Sequence, residues 1–312
     1  MKKWLTLRLL CRRPKSWSRH RLAALSAVAL ISLCSRLGAK TANARIPFTL
    51  GDAAGFVVLS TGSNVVLGNG ARSASGDIGG STVASGNYSY FVGNIVAGSN
   101  FGTAINFNNY VDVDGSCITG GGSILLHTGA VCDARDTSGS SLEIRNLNGA
   151  AADASVFAAT LASAPADQTL PSIVVPDGRS STITCSPSTG VFIVNTGSIT
   201  LGGSAKLNID CAASNFAVIN VTTGQFKFGH GAKVQLSGGI APDGVVFNIE
   251  GTSATPGVAG GNSAQLLGTI LSASRPCSIG VNFGLTGALI CGGAVNVSNQ
   301  SRWKLSLLRP IP

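Results

Sequence analysis

A 27-residue repeat is the feature of this sequence that most restricts its fold. The segment "GSITLGGSAKLNID" (197–210) recurs 27 residues later as "GQFKFGHGAKVQLS" (224–237). In both copies, apolar and polar residues alternate on either side of a glycine-rich centre, which is the pattern of two short β-strands joined at a corner. The matching apolar pairs are Ile199 and Phe226, Leu201 and Phe228, Leu207 and Val234, and Ile209 and Leu236.

This repeat predicts a β-solenoid, because stacked coils place each inward apolar residue over its equivalent one coil away. Twenty-seven residues suit one coil of three short strands with turns. A β-sandwich with long hairpins is the alternative. In the solenoid, the polar residues between the apolar pairs point outward: Ser198, Thr200, Lys206 and Asn208 in one coil, and Gln225, Lys227, Lys233 and Gln235 in the next.

His230 lies at the centre of the second copy, with Lys227 and Lys233 nearby. Viewed alone, this setting suggests a histidine site with two cationic neighbours. In the first copy, however, Gly203 occupies the equivalent position. The repeat therefore predicts that His230 is an exposed residue at a corner between two strands.

One segment departs from the β pattern. Residues 150–164 are rich in alanine and end before Pro165, which predicts one α-helix packed alongside the solenoid. Asp153 is a candidate cap for the start of this helix. The predicted buried stripe consists of Val156, Phe157, Thr160 and Leu161.

The first 44 residues have the composition of a secretory signal peptide. They contain ten basic residues and no acidic one, an apolar run over 22–34, and small residues at Ala42 and Ala44 that fit a cleavage site. The apolar run is shorter than the roughly 20 residues of a spanning helix. An uncleaved anchor remains the alternative.

Removal of residues 1–44 changes the meaning of the net charge of +9, since 12 basic and 13 acidic residues remain. That balance provides no electrostatic argument for nucleic acid or anionic lipid as a partner. We therefore expect a secreted or cell-surface protein with a single solenoid domain over 45–300 and a short basic tail over 301–312. Its oligomeric state is left open.

Six cysteines lie beyond the leader, and an even number in an exported chain favours disulfides. No CxxC pair is present and histidines are few, so a zinc site is disfavoured. Free buried thiols are the alternative. The favoured pairs join neighbours in sequence: Cys117–Cys132, Cys185–Cys211 and Cys277–Cys291.

Three segments carry a resemblance to known families. "LGDAAGFVVLSTGSNVVLGNGARSASGDIGGSTVASG" (50–86) and the stretch from "GVVFNIEG" to "GGAVNVSN" (244–299) resemble the first and last coils of ice-binding-like β-solenoid proteins of microbes. "FAVINVTTGQFKFGHGAKVQLSGG" (216–239) is similar to the secreted surface proteins called choice-of-anchor A. The resemblance implies a right-handed β-helix with a helix alongside, in which some members of the first family bind ice through a flat face.

Catalytic motifs are absent from the sequence. There is no GxSxG and no Walker loop, and Ser, His and acidic residues do not cluster. Paired carboxylates can act as acid and base or bind a cation, so Asp112, Asp114 and Asp133 are weak candidates for a metal or for a polysaccharide-active site. A turn role is the alternative, and no cofactor is expected.

The sequence thus favours a structural or adhesive binding protein of the cell exterior, with an extracellular surface, matrix or ice as partner. Ice binding is the alternative function. The outward lysines and glutamines disfavour a water-ordering face on the two repeat coils, but other coils could form one. A polysaccharide-active β-helix enzyme is the second alternative.

Overall fold

The protein is a β-solenoid of parallel strands with an α-helix along its side, as predicted. The computed structural model describes residues 49–186 and 190–309. The predicted signal peptide, residues 1–44, lies outside these ranges. The α-helix α1 is Leu142–Ser163, and two short 3-10 helices are Gly51–Gly55 and Pro242–Gly244.

The strands are β1 (Phe56–Ser60), β2 (Val65–Leu67), β3 (Arg72–Ser73), β4 (Asp77–Gly80), β5 (Val83–Ser85), β6 (Tyr90–Val92), β7 (Ile95–Ala97), β8 (Thr103–Phe107), β9 (Asp112–Thr119), β10 (Ser123–Leu126), β11 (Val131–Asp136), β12 (Gln168–Leu170), β13 (Ile173–Val175), β14 (Ser180–Thr184), β15 (Gly190–Thr196), β16 (Ile199–Leu201), β17 (Lys206–Asp210), β18 (Asn215–Val221), β19 (Phe226–Phe228), β20 (Lys233–Ser237), β21 (Val245–Ile249), β22 (Val258–Ala259), β23 (Gln265–Leu267), β24 (Thr269–Ser272), β25 (Cys277–Ile279), β26 (Gly284–Thr286), β27 (Leu289–Cys291), β28 (Val295–Val297) and β29 (Arg302–Lys304).

The coils have three faces, each a stack of parallel strands. The helix face, against which α1 packs, contains β1, β4, β7, β12, β15, β18, β21, β24 and β27. The bare face contains, in spatial order, β10, β8, β5, β2, β28, β25, β22, β19, β16 and β13. The charged face contains β3, β6, β14, β17, β20, β23, β26 and β29. Strands β9 and β11 bend between the charged and helix faces.

The order of coils in space differs from their order in the chain. The first coil (β1–β3) lies in the middle of the stack, and the next coils extend from it in one direction to β11. Helix α1 then runs back along the solenoid, and the chain re-enters at the opposite end with β12. The last coil closes on the first through the pairs β27–β1, β28–β2 and β29–β3.

The predicted 27-residue register is confirmed. Strand β16 pairs with β19 so that Ile199 faces Phe226, and β17 pairs with β20 so that Leu207 faces Val234. Most of these inward side chains are buried in the continuous core that fills the solenoid. The outward residues do not form one surface, however, because the chain turns a corner between β16 and β17 in one coil and between β19 and β20 in the next. Thr200 and Lys227 lie on the bare face, and Lys206 and Lys233 on the charged face.

Helix α1 is longer than the sequence predicted and begins at Leu142. Ser141 caps it by accepting a hydrogen bond from the Ile144 N–H at 3.2 Å, so Asp153 is not the cap. Instead the Asp153 carboxylate accepts a hydrogen bond from the Asp52 N–H at 2.7 Å. The predicted stripe was half right, since Val156 is exposed and Thr160 only partly covered. The buried stripe is Ile144, Leu147, Ala150, Ala154, Phe157 and Leu161.

The solenoid continues past residue 300, where the sequence analysis placed its end. Arg302–Lys304 form β29, which pairs with both β26 and β3, and Trp303 is buried between them in the core. The chain then returns across the molecule, where Arg309 donates hydrogen bonds to the carbonyls of Ala213 and Asn215. These residues are therefore part of the folded domain rather than a free basic tail.

Three disulfides join adjacent coils, in the pairing of sequence neighbours that the spacing favoured. They link Cys117 to Cys132, Cys185 to Cys211, and Cys277 to Cys291, with Cα–Cα distances of 5.9, 5.0 and 6.2 Å. Each constrains the unfolded chain and so stabilises the stack.

Candidate functional site

Of the three faces, the bare face alone is both uncovered and almost free of charge in the part of the chain that the structure describes. Helix α1 covers the helix face and buries a second apolar cluster against it. The charged face exposes lysines, arginines and aspartates along its strands. A surface that binds a partner without charge pairing is therefore to be sought on the bare face.

The centre of the bare face is a single row of outward residues in register across all ten strands. Nine of these ten side chains are uncharged, and Lys227 is the exception. Between Lys227 and the end of the stack, the row mixes small, polar and apolar side chains and carries no charge. In spatial order the row is Val174, Thr200, Lys227, Ala259, Ser278, Asn296, Val66, Ala84, Asn106 and Leu125.

Glycines line the edge of the bare face where it turns into the charged face. A Cβ at Gly229 would lie 2.5 Å from the carbonyl carbon of Gly202, and one at Gly280 would lie 2.6 Å from that of Gly261. Side chains therefore cannot project here without pushing neighbouring coils apart. The coils are therefore closely stacked, with successive strands, or rungs, about 4.8 Å apart, and the glycine positions carry no side chain at this edge.

The corner that follows this glycine edge carries a ladder that the sequence analysis missed. The side-chain oxygen of Asn299 accepts from the Asn69 N–H at 2.9 Å, and Asn69 accepts in turn from the Asn87 N–H at 2.8 Å. Asn87 continues the ladder to the Asn109 N–H at 3.0 Å. The signal in the sequence is the recurrence of "GNG", "GNY", "NNY" and "SNQ" at positions 68, 86, 108 and 298.

His230 occupies this same corner, as predicted. Its side chain is exposed, and its carbonyl accepts a hydrogen bond from the Ser204 N–H at 2.7 Å. His127 is also exposed, at the end of β10. Neither histidine is placed within a cluster of potential metal ligands.

Asp112, Asp114 and Asp133 are neighbours at one end of the charged face. Asp112 and Asp114 point outward from β9, and the adjacent strand β11 carries Asp133. All three are exposed on the surface of the sheet. Partial desolvation raises the pKa of the nearby Tyr90, and the carboxylates of Asp114 and Asp112 add to this effect.

A metal centre finds no support in this arrangement. Within residues 49–186 and 190–309, no three His, Cys, Asp or Glu side chains converge as a metal site would need. Over the same residues, no helix combines the length and apolarity that crossing a bilayer demands.

Comparison with known proteins identifies the fold. No family model matches the chain, and no curated protein matches it. Solved structures do match over most of its length. An ice-binding protein from an Antarctic biological consortium is 19% identical with a TM-score of 0.51, and the match covers 83% of this chain and 91% of that one.

Two further matches come from a fungus and a bacterium. An ice-binding protein of the Antarctic ascomycete Antarctomyces psychrotrophicus has a TM-score of 0.53 at 14% identity, covering 85% of this chain and 100% of its own. An ice-binding protein domain of Shewanella frigidimarina has a TM-score of 0.51 at 12% identity, covering 84% and 98%. The chain thus has the β-solenoid fold of ice-binding proteins. At these identities the likeness establishes the fold alone, and no comparison supports the choice-of-anchor A resemblance.

Proposed function

We propose that this protein binds ice through the bare face. The observation that carries the proposal is the row of ten outward residues with a single charge, on a parallel sheet that α1 leaves uncovered. The sequence favoured a structural or adhesive role and kept ice binding as the alternative. The solved structures that share the fold support the alternative, and nothing in the comparisons supports adhesion.

The physical basis is the regularity and neutrality of this surface. Charged groups hold their own hydration shells, whereas small, weakly polar side chains repeated about every 4.8 Å leave neighbouring water free to adopt an ordered arrangement. The five central rungs of the row, from Ala259 to Ala84, carry no charge. Two of the three outward lysines that disfavoured ice binding in the sequence, Lys206 and Lys233, lie on the charged face and not on the bare face.

Action outside the cell is part of this proposal. Disulfides such as these three form and persist in an oxidising compartment, and the predicted leader would deliver the chain there. A non-catalytic role agrees with the exposure of Asp112, Asp114 and Asp133.

The test is the thermal hysteresis of the exported protein and of two variants. Ser278→Tyr places a bulky ring at the middle of the central row, and Gln235→Tyr places the same ring outward on the charged face. We expect the native protein and Gln235→Tyr to show the same thermal hysteresis, and Ser278→Tyr to lose most of it. An inactive native protein, or equal activity in the two variants, would refute the proposal.

A further inference from the structure

A groove of about 660 Å³ lies at the corner between the bare and charged faces, away from the centre of the bare face. It sits where the last coil closes on the first, because its walls come from both. Gly70, Arg72 and Tyr88 belong to the first coils, and Gln300 and Arg302 to the last. Its polar and aromatic lining has no part in the binding of ice proposed above.

Two arginines stand side by side in this groove without an acidic partner. Arg302 and Arg72 are directly paired residues of β29 and β3, so their Cα atoms are separated by only about one rung, ~4.8 Å. Both are exposed, and among the described residues neither guanidinium has a hydrogen bond or an ion pair. Asp112 lies two rungs from Arg72, with Tyr90 between them. Two adjacent unpaired guanidinium groups favour a bound anion.

Tyr88 supplies an aromatic wall with one free face. Its ring stacks on Tyr110, with centroids 5.3 Å apart and planes at 7°, and both residues have positive φ. Tyr88 is 65% exposed, and no atom of it lies within 4 Å of the Cβ position above Gly70, where only Gln300 approaches. The absent side chain of Gly70 therefore leaves a notch beside the ring face that Tyr110 does not cover.

We propose that this groove binds a saccharide that carries carboxylate groups, the chemical class of uronic acid polysaccharides. The planar guanidinium of an arginine matches a carboxylate through two parallel hydrogen bonds. The C–H groups of a sugar ring pack on the negatively polarised face of an aromatic ring, which Tyr88 presents. The side-chain amides of Gln300 and Asn282 offer donors and acceptors for hydroxyl groups.

The ligand is a chain rather than a single sugar, because the basic row extends along the charged face. The residues in register with Arg72 and Arg302 are, in order, Gly284, Gln265, Lys233 and Lys206. Four of these six positions are basic, over a distance of about 24 Å along the solenoid axis. A linear polyanion lying on this row contacts both basic pairs and crosses the uncharged rungs between them.

The proposal is tested by equilibrium binding of the exported protein to polygalacturonate, with dextran, dextran sulfate and duplex DNA as comparison polymers. The native protein is expected to bind polygalacturonate and not dextran. The double variant Arg72→Gln/Arg302→Gln is expected to weaken this binding by more than about tenfold, from the loss of two charge-assisted contacts. Tyr88→Asn, which removes the ring but tolerates positive φ, is expected to weaken it by a smaller factor.

Arg135→Gln/Arg145→Gln is the matched control, since it makes the same charge change at two other exposed arginines. It should leave polygalacturonate binding unchanged, and Ser278→Tyr should do the same, which separates this site from the bare face. The proposal fails if the native protein does not bind polygalacturonate, or if the control loses as much affinity as the double variant. It also fails if dextran sulfate or DNA binds as tightly, because the groove would then respond to charge alone. Circular dichroism establishes that each variant is folded.

Discussion

Glycine at the edge of the bare face is a requirement of close stacking. Gly229 has an ordinary negative or extended φ, so its backbone does not demand glycine; the neighbouring coil does, because Gly202 occupies the space that a Cβ would need. Gly203, one position further along that neighbouring coil, has its nearest outside atom at 3.7 Å from the Cβ position. Gly229 and Gly203 thus lie at the same corner of neighbouring coils but differ in the space available for a Cβ.

The substitution Gly229→Ala is expected to destabilise the fold by about 1–3 kcal/mol, because the added methyl group must push two coils apart. Gly203→Ala is the matched control and is expected to stay within about 0.5 kcal/mol of the native protein. Urea unfolding followed by circular dichroism measures both. Equal stabilities for the two variants would show that the edge glycines are not required by stacking.

Asp77 illustrates a carboxylate held in a position that suits an amide. Burial raises the pKa of Asp77, although its Oδ1 accepts a hydrogen bond from the Asn94 N–H at 2.8 Å. One coil further on, the equivalent residue is Asn94, which accepts in the same way from the Ser116 N–H at 3.1 Å. An asparagine at position 77 would keep the acceptor without the cost of a buried charge.

Asp77→Asn is therefore expected to raise the free energy of unfolding at neutral pH, by up to about 1 kcal/mol. Because the folded-state pKa lies above that of the unfolded chain, the folded protein binds the proton more tightly. The native protein then gains stability from this group as the pH falls through the raised pKa, and loses it as the pH rises. Unfolding at neutral and mildly acidic pH should show the variant's advantage shrinking in acid; an advantage independent of pH would contradict this.

Helix α1 fits the helix face in length and in its polar contacts. Its 22 residues extend about 33 Å, which equals the seven rung spacings from β9 to β18. At its carboxyl end, Asn220 donates to the Leu161 carbonyl at 3.0 Å and Asn248 donates to the Ala158 carbonyl at 3.1 Å. These amides give carbonyls in the last turns of the helix a donor from the solenoid, and the Leu161 carbonyl also accepts from the Ala164 N–H at 3.4 Å.

Asn220→Ala is expected to lower the free energy of unfolding by about 1–3 kcal/mol. The change leaves the Leu161 carbonyl without this donor and removes the acceptor for Asn248, which donates to Asn220 at 3.0 Å. Asn296→Ala, an exposed asparagine on the bare face, is the control and should have little effect. Thermal unfolding of the two variants compares them directly, and a destabilised Asn296→Ala or a neutral Asn220→Ala would count against this role.

The sequence predicted the second half of α1 but not the first. Alanine-rich composition marks residues 150–164, whereas the preceding "LEIRNLNG" contains two asparagines and a glycine, which are poor helix formers. Tertiary contact overrides that propensity. The Asp52 carboxylate lies against Gly149, and Ile144 and Leu147 bury against the helix face.

For the whole molecule, the repeat predicted the solenoid and its register but not the order of its coils. Stacked parallel coils are nearly equivalent, so local patterning is the same whether two coils are neighbours in the chain or in space. The closure of β29 on β3 joins residues more than 200 positions apart, and no short-range signal encodes it. For the same reason, the sequence could neither separate the bare face from the charged face nor place Arg302 beside Arg72.

The bare face is the surface that we propose to be in contact with ice. The most direct measurement is the fraction of the protein that is incorporated into slowly grown ice. It is compared among the native protein, a double variant of the central row, Ser278→Tyr/Val66→Tyr, and the charged-face variant Gln235→Tyr. We predict that the native protein and Gln235→Tyr partition into the ice, while the double variant remains in the liquid. Exclusion of the native protein from ice, or equal incorporation of the double variant, would contradict the account.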